Sequence, residues 1–409
     1  MGSSRGKVFV RGRPERVMTL ERQHQLILNP VENIPELFQI HIDDYIKGLY
    51  ISDKHKNDEV NKQSKIAFSG RSKYSDKIHT IYDEWARKLG AKSLSMRLLS
   101  GLHAHIVLFM GLGKIGDRIL LLPESAGGHY ATKKILERLG YNVLEMIPDN
   151  INYCVDIEKT KEVIYHNEPQ LLFVDRSEGI YYEDFSSLLE DIPENCGTIF
   201  DASQYLTNIL EKDFKSPFSM GFDILMSTLH KNFPGPQKAL VCSRNDNVYW
   251  ERIIDAVSSY VSNLHAENIF VAGEILKFED TLKTYSIRML SNSKQLEKKM
   301  LEKGIPVIER KPGKIATHHL WIKPDNKEQA YLFYKKAEEC GILFNYRKLP
   351  YELGYGIRMG TSAATLQGLN DQNLPELANI ISDIYHHTYI SDSLRKKTQD
   401  YIKSLTPLI

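Results

Sequence analysis

Between residues 119 and 242 the chain alternates short apolar runs with amphipathic segments, and this alternation restricts the fold more than any other feature. The runs Ile119–Leu122, Val143–Met146, Leu171–Val174, Thr198–Phe200, Ile224–Ser227 and Ala239–Cys242 are too short to be helices. Apolar runs of this length are strands buried on both faces. Helical spacing intervenes at Ala131–Leu139, Ile157–His166 and Phe185–Asp191. Strands and helices in alternation predict an α/β domain, a mainly parallel sheet flanked by helices, with ligands at the carboxyl ends of the strands.

The 409 residues exceed what one core usually serves and predict two domains with an arm. We expect an N-terminal arm over 1–35, a large domain over 36–285 and a smaller C-terminal α+β domain over 286–409. The arm should hold one short helix, Leu20–Leu28, ended by Asn29-Pro30 because the residue before proline avoids helical torsions. A helix running from Tyr74 is closed by Gly90, and residues 248–303 read as long helical segments. Beyond them, Thr317–Ile322, Leu343–Asn345 and Gly356–Met359 read as strands, and Lys327–Glu339 and Leu374–His386 as helices.

A formal net charge of +1 offers no field for nucleic acid or an anionic membrane. The ligand must therefore be recognised by local pockets. Cys154, Cys196, Cys242 and Cys340 are scattered, with neither zinc-ligand nor disulfide-framework spacing, so no metal is expected and a reducing compartment fits. No apolar run approaches the ~18 residues of a membrane helix. The polar, basic opening does not read as a secretory signal. Together these point to a cytoplasmic protein.

Five segments carry chemistry. Lys231 closes Ser227-Thr228-Leu229-His230-Lys231, straight after a buried strand, and Gly235-Pro236 follow. A lysine held there loses its proton readily and becomes the nucleophile that Schiff-base chemistry needs; the alternative is a solvated loop lysine. Asp201 caps the strand one unit upstream, where its carboxylate can pair with a protonated pyridine nitrogen; the alternative is a helix cap. Ser100-Gly101 open a helix whose free N–H groups suit a phosphate. Gly127-Gly128-His129 bring backbone and an imidazole near a flat ring. Arg358, inside the apolar strand Gly356–Met359, is costly to bury unless it meets an anion, either a substrate carboxylate or an interdomain acid. Together these groups lead us to expect a site for pyridoxal 5′-phosphate (PLP).

In this order the segments resemble the serine hydroxymethyltransferase family of fold-type I PLP enzymes, from about Leu28 to Leu369. The resemblance implies that Lys231 holds PLP as a Schiff base and that Asp201 faces the pyridine nitrogen. It places Gln204 where the family has a histidine at the ring hydroxyl, Ser100, Gly101 and Thr228 at the phosphate, and Ser177 against the cofactor. Arg358 would clamp the carboxylate of an amino-acid substrate, and Glu32, beside Asn33, echoes the family's arm. His129 and His230 join Lys231 as proton-handling candidates. A homodimer, or a dimer of dimers, with shared active sites is implied.

The departures are equally specific. Ile66 stands where the family's catalytic glutamate belongs, Ser64 replaces a neighbour-subunit tyrosine, and Ala126 replaces the first histidine of a His-Gly-Gly-His motif. The Gly-Gly turn that meets the partner's phosphate is replaced around Ser262–His265, which leaves His265 for that contact. The expectation is Cα–Cβ bond making or breaking of the aldolase, transaldolase or hydroxymethyltransferase type without folate. Cα–H chemistry by an aminotransferase, lyase or decarboxylase stays open, as does a non-catalytic PLP-fold protein.

Overall fold

A computed structural model describes residues 25–28, 71–262 and 264–408. In chain order these form β1 (Leu26–Ile27), α1 (Arg71–Leu89), β2 (Ser93–Ser95), α2 (Gly101–Leu112), β3 (Arg118–Leu121), α3 (Thr132–Arg138), β4 (Asn142–Glu145), β5 (Pro148–Asp149), β6 (Cys154–Val155) and α4 (Ile157–Asn167). Next come β7 (Leu171–Val174), α5 (Ser186–Leu189), β8 (Gly197–Asp201), α6 (Leu206–Leu210), α7 (Pro217–Met220), β9 (Ile224–Thr228) and β10 (Ala239–Ser243). The long helices α8 (Val248–Tyr260), α9 (Ala266–Ile275) and α10 (Glu279–Glu302) follow. The chain closes with β11 (His319–Ile322), α11 (Lys327–Glu339), β12 (Ile342–Leu343), β13 (Asn345–Leu349), β14 (Gly354–Gly360), α12 (Ser362–Leu366), α13 (Leu374–His386) and α14 (Asp392–Ser404).

The main sheet has seven strands in the order β2-β10-β9-β8-β7-β3-β4. Pairings from β9 through β4 are parallel, and β10 runs antiparallel to both neighbours. Alternate residues of each strand enter opposite cores. Ile119, Leu171, Ile199, Ile224 and Val241 pack with α2 and α8, whereas Leu120, Leu172, Phe200, Leu225 and Leu240 pack with α1, α9 and the first half of α10. Burial on both faces is why these strands read as continuous apolar runs.

The smaller unit is a three-stranded antiparallel sheet, β11-β14-β13, covered by α11 and α13. Helix α10 passes residue 285 without a break: Leu282, Tyr285 and Met289 join one core, and Leu296 and Met300 the other. One continuous helix thus ties the two units.

Three local expectations are corrected. Leu26–Ile27 is not the end of a helix but a strand, parallel to Ile342–Leu343, with Leu26 and Leu28 fully buried in the smaller core. Tertiary pairing overrides a helical spacing that extends into residues outside those described. Leu343–Asn345 is not one strand; the chain breaks at Phe344 between β12 and β13, which pair with different partners. Phe185–Asp191 keeps only the turn Ser186–Leu189 as helix.

Candidate active site

The site lies at the carboxyl ends of β7, β8 and β9. Lys231 sits in the tight turn from β9 to β10, closed by Gly235 N–H on the Leu229 carbonyl (2.7 Å) and Leu229 N–H on the Lys238 carbonyl (2.9 Å). Its neighbour Asn232 is fully buried and anchors the turn. Asn232 Oδ1 accepts from Thr207 N–H (2.7 Å), its Nδ2 donates to Asn208 Oδ1 (3.1 Å), and its carbonyl accepts from the Tyr285 hydroxyl (2.9 Å). Burial lowers the Lys231 pKa, Asp201 opposes that pull, and Arg358 adds to it. The amine is thereby biased toward the neutral nucleophile.

Asp201 ends β8. Ser203 N–H (2.8 Å) and Ser203 Oγ–H (2.5 Å) both donate to its Oδ1, and His105 Nε2 lies 2.8 Å from its Oδ2. Burial raises this carboxyl, but His105, Lys231 and Ser203 together hold it below its ordinary value. The same Ser203 hydroxyl accepts from Thr228 N–H at 2.9 Å, which ties the Asp201 end of β8 to the strand leading into Lys231. Lysine and aspartate each lie within the other's electrostatic reach.

Ser100 caps α2, its Oγ accepting from His103 N–H at 3.3 Å. A Cβ on Gly101 would sit 2.8 Å from Thr228 Cγ2, so helix start and strand end approach as closely as glycine permits. The double glycine serves the same end. Gly127 has φ +89°, and a Cβ there would lie 2.0 Å from the Glu178 carbonyl. Ser177 and Glu178 N–H groups both donate to the Gly127 carbonyl, at 2.8 and 3.1 Å. His129, at the end of this loop, meets the edge of the His105 ring, with centroids 5.9 Å apart. Burial, with His105 and Lys231, lowers its pKa to about 4.

Four of the anticipated residues carry buried polar atoms without a hydrogen-bond partner among the described residues: Thr228 Oγ1, Gln204 Nε2, His230 Nδ1, and Nε and Nη1 of Arg358. The Gln204 orphan follows from its neighbour. His319 Nδ1 accepts from Gly179 N–H (3.3 Å), so its Nε2–H donates to Gln204 Oε1 (3.1 Å), leaving the amide N–H₂ for another acceptor. Arg358 spends one nitrogen on Asn345 Oδ1 (2.8 Å). Burial and Lys231 lower the His230 pKa to about 4. Unsatisfied buried donors and acceptors are what a bound polar ligand satisfies.

Sequence reasoning missed three groups. His105 lies inside an apolar helix and gave no signal of its own. Glu178 is buried, with Oε1 on Arg347 (2.8 Å) and Oε2 unpartnered among the described residues. Burial raises its pKa while Arg358 and Arg347 pull it down. Arg347, two residues along β13 from Asn345, brings a second guanidinium toward Arg358. His265 is not brought to this cluster within the chain. It takes a left-handed backbone (φ +47°), and its half-exposed ring faces Glu267 at 3.7 Å. Glu32, Ser64 and Ile66 lie outside the described residues.

The serine hydroxymethyltransferase family model matches residues 65–381. The chain belongs to the serine hydroxymethyltransferase family. The family is PLP-dependent, and the orphaned groups around Lys231 and Asp201 fit that cofactor. Fluorothreonine transaldolase of Streptantibioticus cattleyicolor is 25% identical over 337 residues, 80% of this chain and 52% of that protein; the chain thus spans about half of that relative's length. Serine hydroxymethyltransferase of Archaeoglobus fulgidus is 25% identical over 371 residues, 87% of this chain and 83% of that protein. L-threonine transaldolase from Pseudomonas fluorescens superposes with a TM-score of 0.84 at 21% identity, covering 96% of this chain and 90% of that one, and shows the shared fold. The serine hydroxymethyltransferase fold explains the crossover order of the sheet and the site at its carboxyl edge.

Proposed function

We propose that this protein makes and breaks the Cα–Cβ bond of a β-hydroxy amino acid, passing the glycyl unit between aldehydes without folate. The observation that carries the reading is Lys231 and Asp201 on adjoining strand ends, with Arg358 buried and two of its nitrogens unpaired among the described residues. PLP bound on Lys231 supplies an electron sink for the charge left at Cα. The residues do the rest. Asp201 holds a negative charge against the ring nitrogen, Gln204 offers its amide N–H₂ to a ring oxygen, and Thr228, Ser100 and the start of α2 hold the phosphate. Arg358 takes the substrate carboxylate. His129 and His230 are neutral at pH 7 and can accept a proton, and Glu178 Oε2 is a further acid–base group beside Arg358.

The similarity to two transaldolases supports the aldehyde exchange, and the Ile66 and Ser64 departures support independence from folate. No helix of the described residues is long and apolar enough to cross a membrane. We place the protein in the cytoplasm as a homodimer, with the half-exposed His265 turned toward the partner's cofactor phosphate.

The test is product analysis. Holoprotein with L-threonine and an added aldehyde should release acetaldehyde and form a new β-hydroxy amino acid by mass spectrometry, at a rate unmoved by tetrahydrofolate. Amino transfer to a keto acid with no such product would overturn the reading in favour of transamination. Arg358→Ala should lower kcat/KM at least about hundredfold, chiefly through KM, because a charged hydrogen-bonded pair is lost.

A further inference from the structure

Behind Asp201 runs a buried line of polar groups that reaches away from the cofactor pocket. His105, on the buried face of α2, places Nε2 2.8 Å from Asp201 Oδ2 and Nδ1 3.4 Å from Thr132 Oγ1. Thr132 Oγ1 in turn makes a short contact with Asp175 Oδ2, at the end of β7. All four side chains are buried. The His105 ring packs edge-on against Phe173, with centroids 5.0 Å apart, so its orientation is set by packing as well as by polar contacts.

The two carboxylates differ in surroundings. Asp201 has Ser203, His105 and Lys231 to stabilise its anion, and its pKa falls. Asp175 has Thr132, the backbone amides of His129 and of its own residue, and Lys231 within electrostatic reach, but it is deeply buried near Asp201, and burial drives its pKa well up. Two acids in one site whose surroundings push them apart settle into one protonated and one ionised group. With the proton on Asp175, the line has a single polarity. To an ionised Asp175, Thr132 Oγ1–H is the donor; protonation reverses that bond, so that Asp175 donates to Thr132, Thr132 donates to His105 Nδ1, and His105 Nε2–H donates to Asp201. The other charged or titratable groups facing Asp201 are Lys231, from the turn after β9, and His129, from the double-glycine loop.

We propose that His105 is a positioning residue for the cofactor's ring nitrogen: it fixes Asp201 through Nε2–H and ties that carboxylate, through Thr132, to the buried Asp175. The ionised Asp201 then keeps its place and charge against the heterocycle. Without the His105 donor the carboxylate is less stable as an anion, and the neutral pairing of pyridine with protonated Asp201 gains. This rests on the reading that PLP fills the pocket, which the visible absorbance of the wild-type holoprotein tests separately.

The experiment uses holoprotein reconstituted with ring-¹⁵N PLP, with the nitrogen shift followed by NMR across pH and PLP affinity by visible absorbance. His105→Phe keeps an aromatic ring against Phe173 and removes both the Nε2–H donor and the Nδ1 acceptor. It should weaken PLP about ten- to hundredfold, the loss of one charge-assisted bond, and move the nitrogen signal toward the unprotonated value at neutral pH. His105→Asn, which restores an N–H, should recover part of that shift. Thr132→Val cuts the line at its centre and should also move the titration. Asp175→Asn donates to Thr132 as the protonated acid does and should keep it. A wild-type nitrogen titration in folded His105→Phe, or in Thr132→Val if the former does not fold, overturns the proposal. A shift in Asp175→Asn overturns the placing of the proton. Absence of a visible band in the wild type would instead sink the cofactor reading.

Discussion

Lys231 and Arg358 share one condition, a cation held where water is scarce, and they answer it differently. Burial lowers the Lys231 pKa, and Asp201 keeps the shift in check. Burial takes Arg358 down to about 10, with Glu178 opposing. The amine can give up its proton and act as a nucleophile, whereas the guanidinium stays charged at pH 7 and demands an anion. Lys231→Ala should therefore abolish the visible absorbance of bound PLP; a variant that keeps the band refutes its role. Gly101→Ala places a methyl 2.8 Å from Thr228 Cγ2 and should cost about 1–3 kcal/mol in thermal unfolding while weakening PLP. Lys231, Asp201 and Arg358 stood out in the sequence as candidates because each is the wrong residue type for an apolar neighbourhood. His105, Glu178 and Arg347 were not, because a histidine in an apolar helix and charges in a loop or strand have ordinary explanations. Only the folded contacts give them work.

Most elements were legible for a plain reason: local period and burial agree. Helices α11 and α13 run over the expected residues, and in α11 Asn326 caps the first turn through Gln329 N–H at 2.9 Å. Strand β1 was not legible, because two residues carry no period. It forms because Ile342–Leu343 offers a parallel edge and the small core has room for Leu26 and Leu28. Leu26→Ala should destabilise the smaller unit by about 2–5 kcal/mol, read as a lower midpoint in chemical unfolding. An unchanged midpoint would show that the strand rests on the core without supporting it. The turn after β13 is another tertiary product. Tyr351 holds a left-handed backbone (φ +56°) while its N–H donates to the Ser125 carbonyl (2.7 Å) and its hydroxyl to the Ala126 carbonyl (2.9 Å). The smaller unit thereby grips the double-glycine loop of the larger one.

For the molecule as a whole, buried histidines set the response to acid. His129 and His230 fall to about 4 and His318 to about 3, each chiefly through burial, and His319 falls well below its ordinary value. An unfolded chain protonates these rings near pH 6.5, so between there and about 4 it binds more protons than the native state does. The sign is fixed: stability falls as pH drops through that window. Asp175 and Glu178, whose pKa values rise on burial, act in the opposite sense and blunt the fall. The Tm should decline from pH 6.5 toward 4, and less steeply in His318→Leu, since both His318 ring nitrogens lack partners among the described residues. An identical slope in that variant would remove His318 from the account.

What the sequence determined alone was the α/β architecture, the order of its strands along the chain, and the lysine, aspartate and arginine that we propose for the cofactor site. Those follow from periodicity and from charge set in apolar surroundings, which are local properties. The tertiary structure decided which groups meet: His105 with Asp201, Gln204 with His319, and Glu178 between Arg347 and Arg358. Such pairings join residues from 96 to 180 positions apart, and their energies depend on a shared low-dielectric interior that exists only after the sheet and the smaller unit close on one another.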